Sequence, residues 1–334
     1  SESFQRMYQF TYTNTAEYQF DIADKHHFTV LVGQESIIYK QNQFGVSTDG
    51  MTDERLMLLG NATKPITLSD ISQAISEMTM NSFFGTLNYD YEGRYIFDGS
   101  IRRDGSSKFA TGHRWSTFYS LGVAWNAKNE KFLQDVKWLS DAKIRLSYGT
   151  AGNSGVGYYD WQGTLSGSGI YDGNPVLGVS SASNHLLSWE TVKGWDLGLN
   201  FGIYNRLNVE LDFYTKKTCD MLLSVPWSAT TGFASGVANM GNMTNKGFEA
   251  TFNATLFQNK DWLWTARVNF AYNKNEITSL FNGKDSYVIN NTGTILEVGK
   301  PYGSNYAVRY AGVDPADGKQ MWYDKDRNLK KVFN

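Results

Sequence analysis

RYIFDGSIRRDGSSKFATGHRWSTFYSLGVAW, Arg94 to Trp125, decides the fold. Tyr95, Phe97, Gly99 and Ile101 alternate with Ile96, Asp98, Ser100 and Arg102. Beyond a turn-rich linker, Tyr119, Leu121, Val123 and Trp125 alternate with Phe118, Ser120, Gly122 and Ala124. A period of two, with one oily face and one largely small or polar face, predicts two paired strands. Trp115 and Trp125 share the oily face. At about 3.3 Å per residue and a tilt near 40°, they stand about 25 Å apart in height. That is the height of the apolar band between the aromatic girdles of an outer-membrane barrel. A soluble sandwich with tryptophans at its strand ends is the competing reading.

The same alternation recurs on both sides of this hairpin. Phe4, Tyr8, Phe10, Tyr12, Ala16, Tyr18, Phe20 and Ile22 keep one parity, and Phe28, Val30 and Val32 follow a short turn. A long loop is expected after residue 32, with a short helix at Leu68–Met78 capped by Ser69. Phe83, Gly85, Leu87, Tyr89 and Tyr91 lead to a tight turn at Glu92–Gly93. Phe132, Leu133, Val136 and Leu139 fall on one helical face, which predicts a short helix between Asn126 and Ser140. Further strands carry Ile144, Leu146 and Tyr148; Trp195 to Ile203; Leu207 to Phe213; Phe248 to Leu256; and Trp262 to Tyr272. Loops are expected over Gly152–Ser188 and Met221–Asn245, and turns from Glu276 onward.

Long and short connections alternate along the chain, apart from the helical one. Outer-membrane barrels do this, with tight periplasmic turns and long external loops. A sandwich has no reason to sort its loops between two ends, and a propeller would show a blade-length sequence repeat, which is lacking. The oily face also carries its large aromatics at strand ends: Trp115, Trp125, Trp195, Trp262, Trp264 and Tyr272. A bilayer imposes that order, because Trp and Tyr favour its interfaces.

Composition fits. The 334 residues include 15% aromatics, 32 Gly and only 5 Pro, with 19% charged residues. A net charge of −2 and a pI near 6.1 give no reason to expect nucleic acid as a partner. Mean hydropathy is −0.42, which does not argue against a barrel whose alternate residues alone face lipid. Cys219 is the single cysteine, so no internal disulfide forms. Ser1 is not an initiator, and a mature or excised piece is expected.

No catalytic set emerges: the four histidines are scattered through expected turns and loops, and no nucleophile–base pair stands out. Asp324, Asp326 and Asn328 mimic the start of a calcium loop, but Leu329 replaces the required glycine, so a polar turn is expected. No metal or cofactor is called for. The loop aromatics are the candidate binding groups. Tyr158, Tyr159, Trp161 and Tyr171 lie in one loop and Trp227 in another, with Asp160, Asp172 and Asn174 nearby. Such rings can stack on sugar faces while the polar neighbours bond hydroxyls. The alternative is that they pack the loops or meet a protein lid.

The chain also resembles the SusC/RagA family of TonB-dependent outer-membrane transporters of Bacteroidetes. The resemblance rests on RRDGSSKF (Arg102–Phe109), RWSTFYSLGVAW, KIRLSYGTAGNSG (Lys143–Gly155), LSWETVKGWDLGLNFG (Leu187–Gly202), RLNVELDFYTKKTCDMLL (Arg206–Leu223), NMGNMTNKGFEATF (Asn239–Phe252) and GKPYGSNYAVRYAGVDPADG (Gly299–Gly318). It implies a barrel of about 22 strands around a plug, a SusD-like surface lipoprotein as lid, and energy from the TonB complex. The implied cargo is an oligosaccharide, with a peptide or another nutrient as alternative. A soluble carbohydrate-binding protein is the alternative from another class. No plug, TonB-contacting segment or terminal strands are found, and the strands read here are fewer than half of such a barrel. An open sheet would leave two unpaired edges in hydrocarbon, so residues 1–334 are expected to be part of one larger barrel domain.

Overall fold

The computed structural model describes residues 1–331 apart from 52, 56, 290, 291 and 325. In chain order the first strands are β1 (Glu2–Ile22), β2 (His26–Val46), β3 (Ile71–Tyr91), β4 (Tyr95–Ser106), β5 (Trp115–Asn126) and β6 (Leu139–Asn153). Then come β7 (Thr164–Tyr171), β8 (Asn174–Ser181), β9 (Glu190–Ile203), β10 (Leu207–Cys219), β11 (Leu222–Pro226), β12 (Ser235–Asn239), β13 (Asn242–Gln258) and β14 (Leu263–Ser279). The last are β15 (Ser286–Ile289), β16 (Thr294–Glu297), β17 (Ser304–Asn305), β18 (Tyr310–Val313), β19 (Gln320–Tyr323) and β20 (Leu329–Lys330).

Ten of these build one antiparallel sheet, ordered β1-β2-β3-β4-β5-β6-β9-β10-β13-β14. The chain passes up and down, each strand beside the last, and the sheet is open at β1 and β14. Short turns at 23–25, 92–94, 204–206 and 259–262, with the connector 127–138, lie at one end. The connections 47–70, 107–114, 154–189 and 220–241 lie at the other, the mouth, where the chain beyond β14 also emerges. The first hairpin pairs Tyr95 with Trp125 and Gly105 with Trp115, the register that alternation demands. Among the described residues no second layer covers the outer face: Trp195, Trp264, Val268 and Tyr272 are all more than half exposed.

Several expectations change. Leu68–Met78 is not a helix. Only Leu68–Asp70 forms a 3₁₀ turn, closed by a capping box between Thr67 and Asp70 with Ser69 inside it, and Ile71 already pairs with Val46. The loop after residue 32 is likewise largely strand. The reason is geometric: 21 residues rise about 50 Å, twice the apolar band, so the upper half of β1–β3 stands clear of it. There Gln34, Ser36 and Asn81 occupy the outer parity, and the sequence loses the alternation that would have marked a strand.

The connector 127–138 holds a 3₁₀ turn at Ala127–Asn129 and a single α-helical turn, α1 (Lys131–Gln134). Lys128 Nζ donates to the carbonyls of Leu133, Gln134 and Val136, which stops the helix early. Leu133 and Val136 pack on Ala127, Leu139 and Ala142 as expected, whereas Phe132 is exposed and Leu139 opens β6. His26 and His27 open β2 instead of lying in a turn, and Gly149 and Gly152 fall inside β6. The loop 154–189 contains the β7–β8 hairpin, whose turn residues Asp172 and Gly173 have φ of 48° and 75°, the geometry of a two-residue hairpin turn. The loop Met221–Asn245 contains β11 and β12. Past residue 280, β15–β17 and β18–β20 form two small sheets where only turns were expected.

Candidate functional site

Parity assigns the inner face. Phe118, Ser120 and Gly122 of β5 oppose Arg102, Ser100 and Asp98 of β4, and these point away from the tryptophans. Midway along the strands this face is polar and cross-linked. Arg102 holds Glu35 at 2.8 Å and Asp104 at 2.6 Å. Arg145 donates to Asp212 at 2.9 Å and Asn200 at 3.1 Å. Asp212 pairs because Arg145 of β6 reaches across Gly198 of β9, where a Cβ would collide with the guanidinium. Glu210, Glu249 and Arg267 share this face.

At the mouth the inner face turns apolar and becomes a packed core. Phe109, Phe118, Val156, Leu187 and Trp189 are buried together, with Met80, Trp161, Leu222 and Val237 against them. Phe118 reaches this cluster by lying over Gly152, where any Cβ would strike its ring. Trp189 Nε1 donates to the Arg114 carbonyl at 2.8 Å. The connections 107–114, 154–189 and 220–241 are thereby welded into one body on the lumen side of the strands.

Tyr158, Tyr159, Asp160 and Trp161 sit on the flank of that body. Tyr158 stacks on Tyr39 with ring centroids 5.7 Å apart. The Tyr159 hydroxyl accepts the Glu77 N–H at 3.0 Å, above the point where β4 stops pairing with β3. Trp161 Nε1 donates to the Ser107 carbonyl at 3.2 Å. Tyr158, Tyr159 and Trp161 line a recess of about 280 Å³ with Glu77, Met78, Arg114 and Gln162. Asp160 accepts the Gly157 N–H at 2.7 Å, so one of its oxygens serves the loop. Lys108 lies over the Tyr158 ring and donates to the Ser154 carbonyl at 3.3 Å. Burial holds its amine below the usual lysine range, partly offset by the Asp160 charge.

The remaining candidates do not join this group. Tyr171, 77% exposed, Asp172 and Asn174 form the tip of the β7–β8 hairpin. Trp227 packs against the separate core of Met221, Leu223, Val225, Ala238, Ile277, Leu280, Phe281 and Leu296. Tyr39, Met78 and Arg114 were missed. Tyr39 and Met78 lie in the non-alternating upper strands, and only the odd–even parity of β5 would have pointed Arg114 inward. Among the described residues no three His, Cys, Asp or Glu side chains gather as a metal site. His26 and His27 face opposite sides, bonded to Tyr89 at 2.8 Å and Asp21 at 2.6 Å. Asp324 accepts the N–H groups of Asp326 and Asn328, as a polar turn does.

The outer-face aromatics fall at two levels. Trp125, Trp262 and Trp264 are near the short-turn end; Trp115, Trp195 and Tyr272 are eight to ten residues further up their strands. Trp195 and Tyr148 contact at 4.6 Å and Tyr148 and Tyr119 at 6.1 Å, forming a belt. Trp125 is tied below by Nε1 to Glu130 at 3.3 Å, and Glu130 also accepts the Tyr95 hydroxyl at 2.7 Å.

An open ten-stranded up-and-down antiparallel sheet, apolar on one face, polar on the other and looped at one end, is a portion of a β-barrel. Residues 1–328 match the family described as TonB dependent receptor-like, beta-barrel, and the chain belongs to it. It is 36% identical over 270 residues to the TonB-dependent receptor SusC of Bacteroides thetaiotaomicron, covering 78% of this chain and 26% of that protein. To TonB-dependent receptor P3 of Formosa agariphila it is 36% identical over 253 residues, covering 72% and 25%. The structure of the RagAB peptide transporter superposes with a TM-score of 0.86 at 39% identity, over 99% of this chain and 37% of that one. The chain spans about a quarter of these curated relatives' length. It is a stretch of an outer-membrane barrel of SusC/RagA type.

Proposed function

We propose that this chain forms the barrel wall and part of the mouth of a TonB-dependent nutrient importer. Its work is passage and gating, with no bond chemistry. The observation that carries the reading is the sorting of the connections. Short turns lie at one end, and at the other the loops are packed into a body leaning over the lumen with a ring-lined recess. A SusD-like surface lipoprotein would close that mouth, and the TonB complex would act through a region outside this chain. The two levels of outer aromatics would mark the two lipid interfaces.

Cargo is first an oligosaccharide, held by stacking on Tyr158, Tyr159 and Trp161. The β7–β8 tip with Tyr171, Asp172 and Asn174, and Trp227 beyond it, would meet cargo or lid from the side. A peptide is the second reading, favoured by the likeness to a peptide transporter over nearly all of this chain. The test uses the intact protein. It should resist carbonate extraction from membranes, and release without detergent would end the importer reading. Binding across a panel of oligosaccharides and peptides, before and after deleting residues 158–171, decides the cargo. Unchanged sugar binding after the deletion would remove the stacking role.

A further inference from the structure

The recess at the mouth has an unbalanced charge. Lys108 is offset by Asp160 and donates to Ser154. Glu77 pairs with Lys40, which sits opposite it on the outer parity. Arg114 has a carbonyl partner only: its Nε donates to the Phe109 carbonyl at 3.1 Å, and among the described residues no carboxylate engages its terminal nitrogens. A half-buried guanidinium with an unused fork is a ready partner for a planar carboxylate, which it grips through two parallel N–H bonds.

The other walls agree. The Tyr159 hydroxyl accepts from Glu77 N–H and keeps its own proton to donate. The Gln162 carboxamide lines the same space and adds two N–H donors beside its carbonyl acceptor. Trp161 has spent its N–H on Ser107 and offers a ring face only. The recess therefore sets the guanidinium among flat apolar walls and groups that both donate and accept, and among the described residues no uncommitted carboxylate faces it. The guanidinium is what separates an acidic ligand from a neutral one there.

We propose that Arg114, with Tyr159 and Gln162 beside it, forms a subsite for a carboxylate carried by the cargo. That carboxylate would be a uronic acid on an oligosaccharide or an acidic side chain on a peptide. The proposal rests on the import reading and narrows its cargo to acidic molecules. Tyr158 and Trp161 hold the residue that bears the acid, and Arg114 selects its charge.

The experiment is calorimetric binding to the intact, detergent-solubilised protein, in two arms. One compares a trigalacturonate with its fully methyl-esterified form. The other compares a tetrapeptide carrying one glutamate, blocked at both termini, with its glutamine counterpart. In at least one arm the acid should bind about ten-fold or more tighter than its neutral twin, and that arm names the source of the carboxylate. Arg114→Gln should erase the preference by weakening the acid far more than its neutral twin, and Arg114→Lys should restore part of it. Gln162→Glu, which leaves Arg114 in place, should weaken the acid alone. Equal binding of acid and neutral twin in both arms overturns the subsite and leaves the import reading standing. A preference that survives Arg114→Gln also overturns it. A wild-type protein that binds nothing in either arm overturns the subsite and leaves the import reading to the carbonate extraction.

Discussion

The lower and upper halves of this sheet are built from the same strands yet obey different rules. Below, between the two aromatic levels proposed as lipid interfaces, each strand has an apolar outer face and a polar inner one. Residues such as Phe97, Leu121, Val123, Leu146 and Val268 must therefore alternate with Asp98, Ser120, Arg145 and Asn269. Above, β1–β3 have water on both sides, and what holds the mouth together is side-chain packing between loops. The lower half is specified by its surroundings, and the upper half by its own core.

Mutations should separate the two halves. The largest effect is expected in the mouth core. Phe109 is fully buried, and Phe109→Ala should cost about 3–5 kcal/mol of local stability. Limited proteolysis should then cut within 107–114 or 154–189 while the heat-modifiable gel mobility of the barrel is kept. Loss of both together would mean that the halves fold as one unit. Next, Leu121→Arg, midway between Trp115 and Trp125 on the outer face, should cost about 2–4 kcal/mol in urea unfolding from bilayers. Ile75→Arg has the same parity but lies far up β3 and should change stability by no more than about 0.5 kcal/mol. Equal costs for the two would place the apolar band higher than the aromatic levels put it.

A smaller effect is expected at the short turns. The hydrogen bond from Lys25 and the nearby Arg94 hold the Glu92 carboxyl below the usual range. The Tyr95 hydroxyl, Trp125 and Arg94 do the same for Glu130. A depressed carboxylate pKa adds stability above the unfolded value, about 4.3, and that stability is lost as pH falls through the folded value. The turns at 23–25 and 92–94 should loosen only below about pH 4, read as faster amide exchange there. Glu92→Gln should shrink that acid-induced loss of protection, measured against the intrinsic exchange rate at each pH, and an unaltered acid response would show that the pairing is idle.

Legibility in the sequence follows the same division. The hairpin 94–125 could be placed from its letters because lipid writes its requirement on every second residue. The strands β9, β10, β13 and β14 were readable for the same reason. Leu68–Met78 was read as helical, because with water on both faces nothing forces the apolar residues of its strand part, from Ile71 on, into a period of two. At the mouth, Tyr158, Tyr159 and Trp161 stood out as aromatics in a loop. Tyr39, 119 residues before Tyr158 in the chain, did not, and neither did the isolation of Arg114.

The sequence by itself determined which face of each strand meets lipid, how the connections sort between two ends, and which family the chain resembles. All three are periodic or local properties that a linear text can hold. Only the tertiary structure decided how far the strands rise beyond the apolar band and which loops share a core. Among the described residues, it alone left Arg114 without a carboxylate while Lys40 found Glu77. Those outcomes depend on contacts between residues tens of positions apart, and such contacts exist only once the strands are in register.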